Sequence, residues 1–324
     1  MPRFWSGFAI ILILLALAGI AAILVVYFRA LRLARKRLAD LGSQLLETDC
    51  GVIEYVRVGQ GYPVLVVHGA MGGFDHGLWL AHGFNVTDYQ LICISRFGYL
   101  RSALPPGANL NLQADAFACL LDALGIPKVA VLAVSAGSTC AIRFTARHPE
   151  RVSALVLLGP DSPGMEQMPM SPRFIYETIL GSDFIFWVLC NFFRKQMQST
   201  MGLAPKGFKL TAENESLIKR FLENALPVSE RMDGLIYDSY PAVTEFNESV
   251  TAGSPYPLTR VNTPVLVVQA LDDPLAIAGN VQALAGLLPN AQIYALQDGG
   301  HLYFGHMEEV TAKILQFMQS HIGN

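Results

Sequence analysis

Charge is scarce in this chain. Only 15% of its 324 residues are Asp, Glu, Lys or Arg, and the formal net charge is −3. A disordered segment stays solvated through charge and few hydrophobes, whereas here 52% of residues are hydrophobic, enough for a large core. A nucleic-acid partner calls for a basic stripe interleaved with aromatics, and the sequence has none. Cysteine is sparse as well. Cys50, Cys93, Cys119, Cys140 and Cys190 are odd in number and make no CxxC or Cys/His ligand spacing. Neither a disulfide frame nor a metal site is expected; the five read as small buried hydrophobes in a reducing compartment. Internal repeats are absent, and low complexity is confined to the amino-terminal run.

That run, Phe4 to Phe28, is 25 residues without a charge. As a helix it would be about 37 Å long, enough to cross a hydrocarbon core of about 30 Å with some tilt. Trp5 and Tyr27 suit the two interfaces. A cleaved leader has an apolar region of about 7–15 residues and a small-residue cleavage site. This run is longer and ends in Tyr27-Phe28-Arg29, so it reads as a single uncleaved membrane anchor. One arginine precedes it, and Arg29, Arg32, Arg35, Lys36 and Arg37 follow, which places the body of the protein in the cytoplasm. Residues 38–324 carry 17 basic and 26 acidic residues, a balance of −9. Residues 1–37 form the anchor and its basic flank; residues 29–50 read as a basic amphipathic helix and linker.

The globular body opens at Gly51. Val52 to Val58 alternates like an edge strand, Val64 to Val67 is a buried strand, and Tyr89 to Ser95 is another. Leu112 to Leu124 has helical spacing and stops at Gly125. Val129 to Val134 is apolar and mostly β-branched, too short for a buried helix. A serine between small residues follows, then a helix to Arg147, then an apolar strand from Val152 to Leu158. Such alternation calls for a mostly parallel sheet with helices on both faces. It stops from Asp161 to Arg260, which read as helices and loops around Phe184 to Leu189, Phe192 and Phe193. Met165, Met168, Met170, Met197 and Met201 lie in the same block. The rhythm resumes at Pro264 to Ala270, continues with a helix from about Ala276 to Leu288 and a strand from Gln292 to Leu296, and ends with a helix near Met307 to Ser320.

Four places in this order carry chemistry. Ala133-Val134-Ser135-Ala136-Gly137 puts a serine at a sharp strand-to-helix turn, close to the G-x-S-x-G elbow. Asp272-Asp273-Pro274 follows the resumed strand, Gly299-Gly300-His301 the last one, and His68-Gly69-Ala70 an early one. A nucleophilic serine needs a base, an acid to orient the base, and N–H donors for the oxyanion. The order Ser, Asp, His meets the first three needs.

On these residues the body resembles the α/β-hydrolase fold family over about residues 51–160 and 261–324. His68-Gly69-Ala70-Met71-Gly72 is similar to its H-G-x-x-G. Ser95-Arg96-Phe97-Gly98-Tyr99-Leu100-Arg101-Ser102 is similar to its D-x-R-G-x-G-x-S, with serine for the aspartate. Ala270-Leu271-Asp272-Asp273 is similar to its G-x-x-D turn, with alanine for glycine. The resemblance implies Ser135 as nucleophile, Asp273 as acid, His301 as base, the backbone N–H groups of Ala70 and Ala136 as the oxyanion hole, and residues 161–260 as a helical lid. It implies no cofactor and no metal.

Other residues have plainer readings. Asp161 is the rival acid, otherwise a surface loop residue. Asp272 suits a turn or a supporting contact. His68 braces the oxyanion loop, and His306 is an ordinary surface histidine. Asp75, His76 and His82 read as a solvent-exposed loop. Asp115 and Asp122 share a solvated helix face. The leading function is a membrane-anchored serine hydrolase cleaving a carboxylic ester or related acyl bond, with a hydrophobic or lipid-like small-molecule substrate suggested by the lid aromatics and methionines. Carbon–carbon hydrolysis or perhydrolysis on the same triad, and a non-catalytic binding module on this fold, are the alternatives.

Overall fold

A helix of 39 residues, Pro2–Asp40 (α1), leads the chain without a break. From Phe8 to Val26 its side chains are exposed, as the charge-free run requires if lipid is to surround it. The computed structural model describes residues 2–83 (side chains from Phe8), 88–162, 172–250, 254 and 257–322. Met165, Met168 and Met170 lie outside the described residues.

Eight strands form one sheet: β1 (Gln44–Thr48), β2 (Gly51–Val58), β3 (Pro63–Val67), β4 (Gln90–Ile94), β5 (Val129–Val134), β6 (Val152–Leu158), β7 (Val265–Ala270) and β8 (Ala291–Leu296). Their order is β1-β2-β4-β3-β5-β6-β7-β8. Only β2 is reversed, pairing antiparallel with β1 and β4; the pairs among β3 to β8 are parallel. The inner strands are apolar on both faces because helices cover both. One face packs on α3 (Leu110–Ala123) and α4 (Gly137–Arg147), the other on α2 (Phe74–Gly83). Between β6 and β7 the chain forms α5 (Arg173–Ile175), α6 (Asp183–Phe192), α7 (Arg194–Thr200), α8 (Ala212–Asn224), α9 (Met232–Tyr237) and α10 (Val243–Glu248). Helices α11 (Ala278–Leu287) and α12 (Met307–His321) close the two sides of the sheet. The helical block has a core of its own, including Phe186, Trp187, Met197, Ile218 and Leu222, and Ala34 of α1 packs into it.

Three expectations need correction. Residues 44–48 are not a linker: they pair with β2 as an edge strand. Gln-Leu-Leu-Glu-Thr alternates weakly, and Leu45 remains 48% exposed, so backbone pairing rather than burial holds the strand. Cys50 and Cys119 are not isolated hydrophobes. A disulfide joins them across 69 positions, with Cα atoms 6.4 Å apart, because the turn after β1 lies against α3. Cys93, Cys140 and Cys190 are buried and free, in line with the expectation for those three. Finally, Asp75 and His76 are buried in α2 rather than exposed in a loop, while His82 is exposed.

Candidate active site

Every sequence-nominated site residue sits past the carboxyl end of a parallel strand, where βα loops gather. Ser135 follows β5 directly and takes φ = 51°, a left-handed conformation that a non-glycine residue holds only when its surroundings enforce it. Its N–H donates to the Leu158 carbonyl at 2.9 Å, fixing the turn against β6. A side chain at Gly137 would meet Val67 O at 2.9 Å and His68 O closer still, so only glycine fits there. Ala133, where the usual elbow has glycine, is fully buried within β5 and faces Val67 and Leu157 across the sheet.

His301 and Asp273 meet. Nδ1 of His301 lies 2.7 Å from Asp273 Oδ2, and the other carboxylate oxygen accepts from the N–H groups of Leu275 at 2.8 Å and Ala276 at 3.1 Å. Those two bonds hold the carboxylate so that one oxygen aims at the imidazole. Asp272 accepts from Gly300 N–H at 2.9 Å, which steadies the histidine loop, in line with its supporting reading. Burial works against a charged imidazole at His301, but the charge and hydrogen bond of Asp273, with the charge of Asp161, raise its pKa. Gly159, at φ = 50°, lies under the pair: a Cβ there would stand 3.1 Å from His301 Nδ1 and 3.2 Å from Asp273 Oδ2. Its neighbour Leu158 is the residue that receives the Ser135 N–H. Among the described residues no hydrogen bond joins Ser135 Oγ to His301.

Ala70 and Ala136 line a pocket of about 260 Å³ together with Ser135. The apolar residues Val243, Phe246, Leu275 and Ile277 also line it, with the polar residues Asp161, Ser162, Ser239, Asn247 and Asn280. His68 opens the loop that follows β3. Its Nδ1 donates to Gly69 O at 2.7 Å and its Nε2 accepts from Arg96 N–H at 3.0 Å, a tautomer assigned from those partners. Burial, then the Arg96 charge, lowers its pKa well below the ordinary value, so it braces the loop as a neutral ring. His306 pairs with Asp298 and Glu309 at the surface, an ordinary role as expected.

Three features were missed from the sequence. Asp161 is not a surface acid: it lines the pocket, and burial followed by the Asp238 charge pushes its carboxyl up to about 6. Arg96 is buried and binds Asp238 of the helical block through both guanidinium nitrogens, at 2.5 and 2.6 Å, while Tyr99 adds its hydroxyl to the same carboxylate. Arg231, also buried, grips Asp75 at 2.9 and 3.0 Å and donates to Gly72 O at 2.6 Å. The S-R-F-G-Y stretch was a usable signal for Arg96; its partner 142 positions away had none.

The α/β hydrolase fold family model matches residues 62–305, three quarters of the chain. The chain belongs to that family. It is a hydrolase. An uncharacterised hydrolase of Bacillus subtilis is 36% identical over 113 residues, a match covering 34% of this chain and only 38% of that protein. The 2-hydroxy-6-oxononadienedioate/2-hydroxy-6-oxononatrienedioate hydrolase 1 of Dechloromonas aromatica is 23% identical over 89% of this chain and 94% of its own length. Among solved structures, an esterase from Exiguobacterium antarcticum superposes with a TM-score of 0.63, at 16% identity, over 85% of this chain and 99% of that one; at that identity the likeness speaks for the fold.

Proposed function

We propose that this hydrolase cleaves uncharged carboxylic esters, with Ser135 as nucleophile, His301 as general base and Asp273 as the acid that orients it. The observation carrying this reading is the 2.7 Å bond between His301 Nδ1 and Asp273 beside the Ser135 elbow. Nδ1–H is committed to the carboxylate, so Nε2 is free to accept a proton. Ser135 Oγ bonds to the acyl carbon while His301 takes its proton, and the carbonyl electron pair moves onto oxygen. The N–H groups of Ala70 and Ala136 hold that oxyanion, an interaction for which one lost donor costs about 3–4 kcal/mol of barrier. Collapse expels the alcohol, which takes the proton from His301. Water then attacks the acyl-serine by the same route and regenerates Ser135. Residues 161–260 act as the lid over a core of residues 51–160 and 261–324.

The Dechloromonas relative acts, by its name, on dienedioates, which carry two carboxylates. Such a substrate fits this pocket poorly. Among the described residues its lining holds no Lys or Arg, Asp238 is already spent on Arg96, and Asp161 presents a like charge. A neutral ester avoids that repulsion and can lay its acyl chain on Val243, Phe246, Leu275 and Ile277. Each CH₂ buried there contributes about 0.8 kcal/mol.

The test is a series of p-nitrophenyl esters with fluorophosphonate labelling. Labelling should fall on Ser135, and kcat/KM should climb from acetyl through hexanoyl. Preferred turnover of a dienedioate would replace the ester reading with carbon–carbon hydrolysis, and a Ser135 that ignores the label would leave a binding module.

For placement, we propose that residues 4–28 span a membrane and that the five basic residues after them keep the body cytoplasmic. On that placement Cys50 and Cys119 stay as thiols in the cell, because cytosolic thiols are kept reduced, and pair only under oxidising conditions. Cleavage of the body by protease added outside intact cells would reverse the orientation.

A further inference from the structure

Helix α6 is apolar on its inner and outer faces alike, apart from Asp183 at its start and the exposed Asn191. Its inner face, Phe186, Trp187 and Cys190, is buried in the lid core. The outer face of a soluble helix is polar. Here it carries Phe184, Ile185 and Phe192, the last 63% exposed, and Phe193 follows at 47%. The preceding segment, Arg173–Leu180, meets α6 at 78° and exposes Phe174 at 60%. Soluble monomers seldom leave so many large side chains together in water.

The position of α1 says what covers them. Tyr27, at the end of its charge-free run, packs edge-on against Phe184 and Trp187, with ring centroids 5.1 and 5.8 Å away. The helix continues unbroken through this contact, so α6 lies at the level where the apolar run gives way to Arg29 and Arg32. A tyrosine at such a point marks the headgroup layer. Basic residues also edge the exposed patch: Arg194 and Lys195 follow it, while Arg173 before it is paired with Glu177 at 2.7 Å. That arrangement, aromatic and aliphatic side chains edged by cations, matches an interfacial helix on an anionic lipid surface.

We propose that the outer face of α6 and the Arg173–Leu180 segment, with Phe174, Phe184, Ile185, Phe192 and Phe193, is a second membrane contact, seated in the interfacial layer of the bilayer that α1 crosses. This rests on α1 being a span. It makes the lid itself a lipid-bound element rather than a cover hanging in water.

The experiment uses the full chain reconstituted in phosphatidylcholine–phosphatidylglycerol vesicles. Phe174→Cys and Phe192→Cys are labelled with a polarity-sensitive fluorophore, alongside Leu15→Cys in the span and Leu112→Cys on α3. The native free thiols are buried and stay unlabelled. Labels at 174 and 192 should shift to the blue and be quenched at least twofold more by headgroup-proximal nitroxide lipids than by deep ones. The label at 15 should respond to the deep quencher and the label at 112 to neither. If 174 and 192 behave like 112 while 15 is quenched, the second contact is overturned and the span stands. If 15 is itself in water, the span and the proposal fall together. A paired variant, F174E with F192E, should leave hydrolysis of a water-soluble ester unchanged and slow that of a vesicle-embedded ester at least tenfold. Equal rates on both substrates would also overturn the proposal.

Discussion

Arg231 Nη1 lies 2.6 Å from the carbonyl oxygen of Gly72, two residues beyond Ala70. An arginine of the helical block therefore holds the loop that carries a proposed oxyanion donor. Arg231 is 1% exposed, and its charge is met by Asp75, whose carboxyl is held well below the usual range: burial raises it, but the Arg231 charge, with help from His76 and Arg37, prevails. Arg37, from the last turn of α1, reaches the same carboxylate at 3.2 Å. Helix α1, the helical block and the loop after β3 thus meet at one buried acid.

Removing the central cation should be costly. Arg231→Met leaves Asp75 with only the partly exposed Arg37, and breaking a buried pair from one side typically costs about 3–5 kcal/mol. Urea denaturation of the variant should show a loss of that order, and kcat should fall more than KM rises. A variant as stable as the parent would show that the Arg231–Asp75 pair does not hold this loop.

Asp273→Asn should keep the two backbone bonds to its outer oxygen while disturbing the His301 tautomer. A drop of about 10⁴-fold in kcat is the precedent for that change in a serine triad. Ester kinetics and thermal melts on the same sample separate lost chemistry from lost folding. Activity within tenfold of the parent would return Asp161 to consideration as the acid.

Asp161→Asn gives a pH test with a defined sign. The Asp161 charge helps to raise the His301 pKa, and the base works only when neutral. In the parent, the acid limb of kcat/KM should therefore lie above the ordinary histidine value. Without the Asp161 charge the imidazole loses its proton more readily, and the limb should move to lower pH. A limb that stays in place would separate Asp161 from the base.

Cys50 and Cys119 close a loop across 69 positions, for which the chain-entropy view gives about 4 kcal/mol of stability when oxidised. Purified Cys119→Ser should unfold at lower urea than the oxidised parent and match it after reduction. In cells, a cytoplasmic body should let both thiols alkylate on denaturation without reductant. Alkylation that requires reductant would place the body on the oxidising side.

The parts legible in sequence were those encoded locally. Val129–Val134 is a strand because six neighbours are apolar, whereas the contact that keeps Gly137 small comes from the Val67 and His68 carbonyls, far away in the chain. Ser135, Asp273 and His301 stood out as candidates because each follows the end of a strand. The features that stayed hidden depend on chain distance. Arg96 gives no sign of Asp238, nor Asp75 of Arg231, 156 positions on. A lone charge in an apolar stretch looks like surface until its partner is known. The β1 edge was hidden for a related reason: its pairing is made by backbone groups, which every sequence has.

The unbroken course of α1 limits how the body moves. With α1 across a bilayer, a helix that runs without a hinge into the helical block would leave the body free only to drift in the plane and spin about its stem. The pocket mouth would then sweep a circle at fixed height above the lipid. Encounter with a bilayer-dissolved ester becomes a two-dimensional search in which every collision arrives at the same elevation, so turnover would scale with substrate per unit of membrane area rather than per unit of volume.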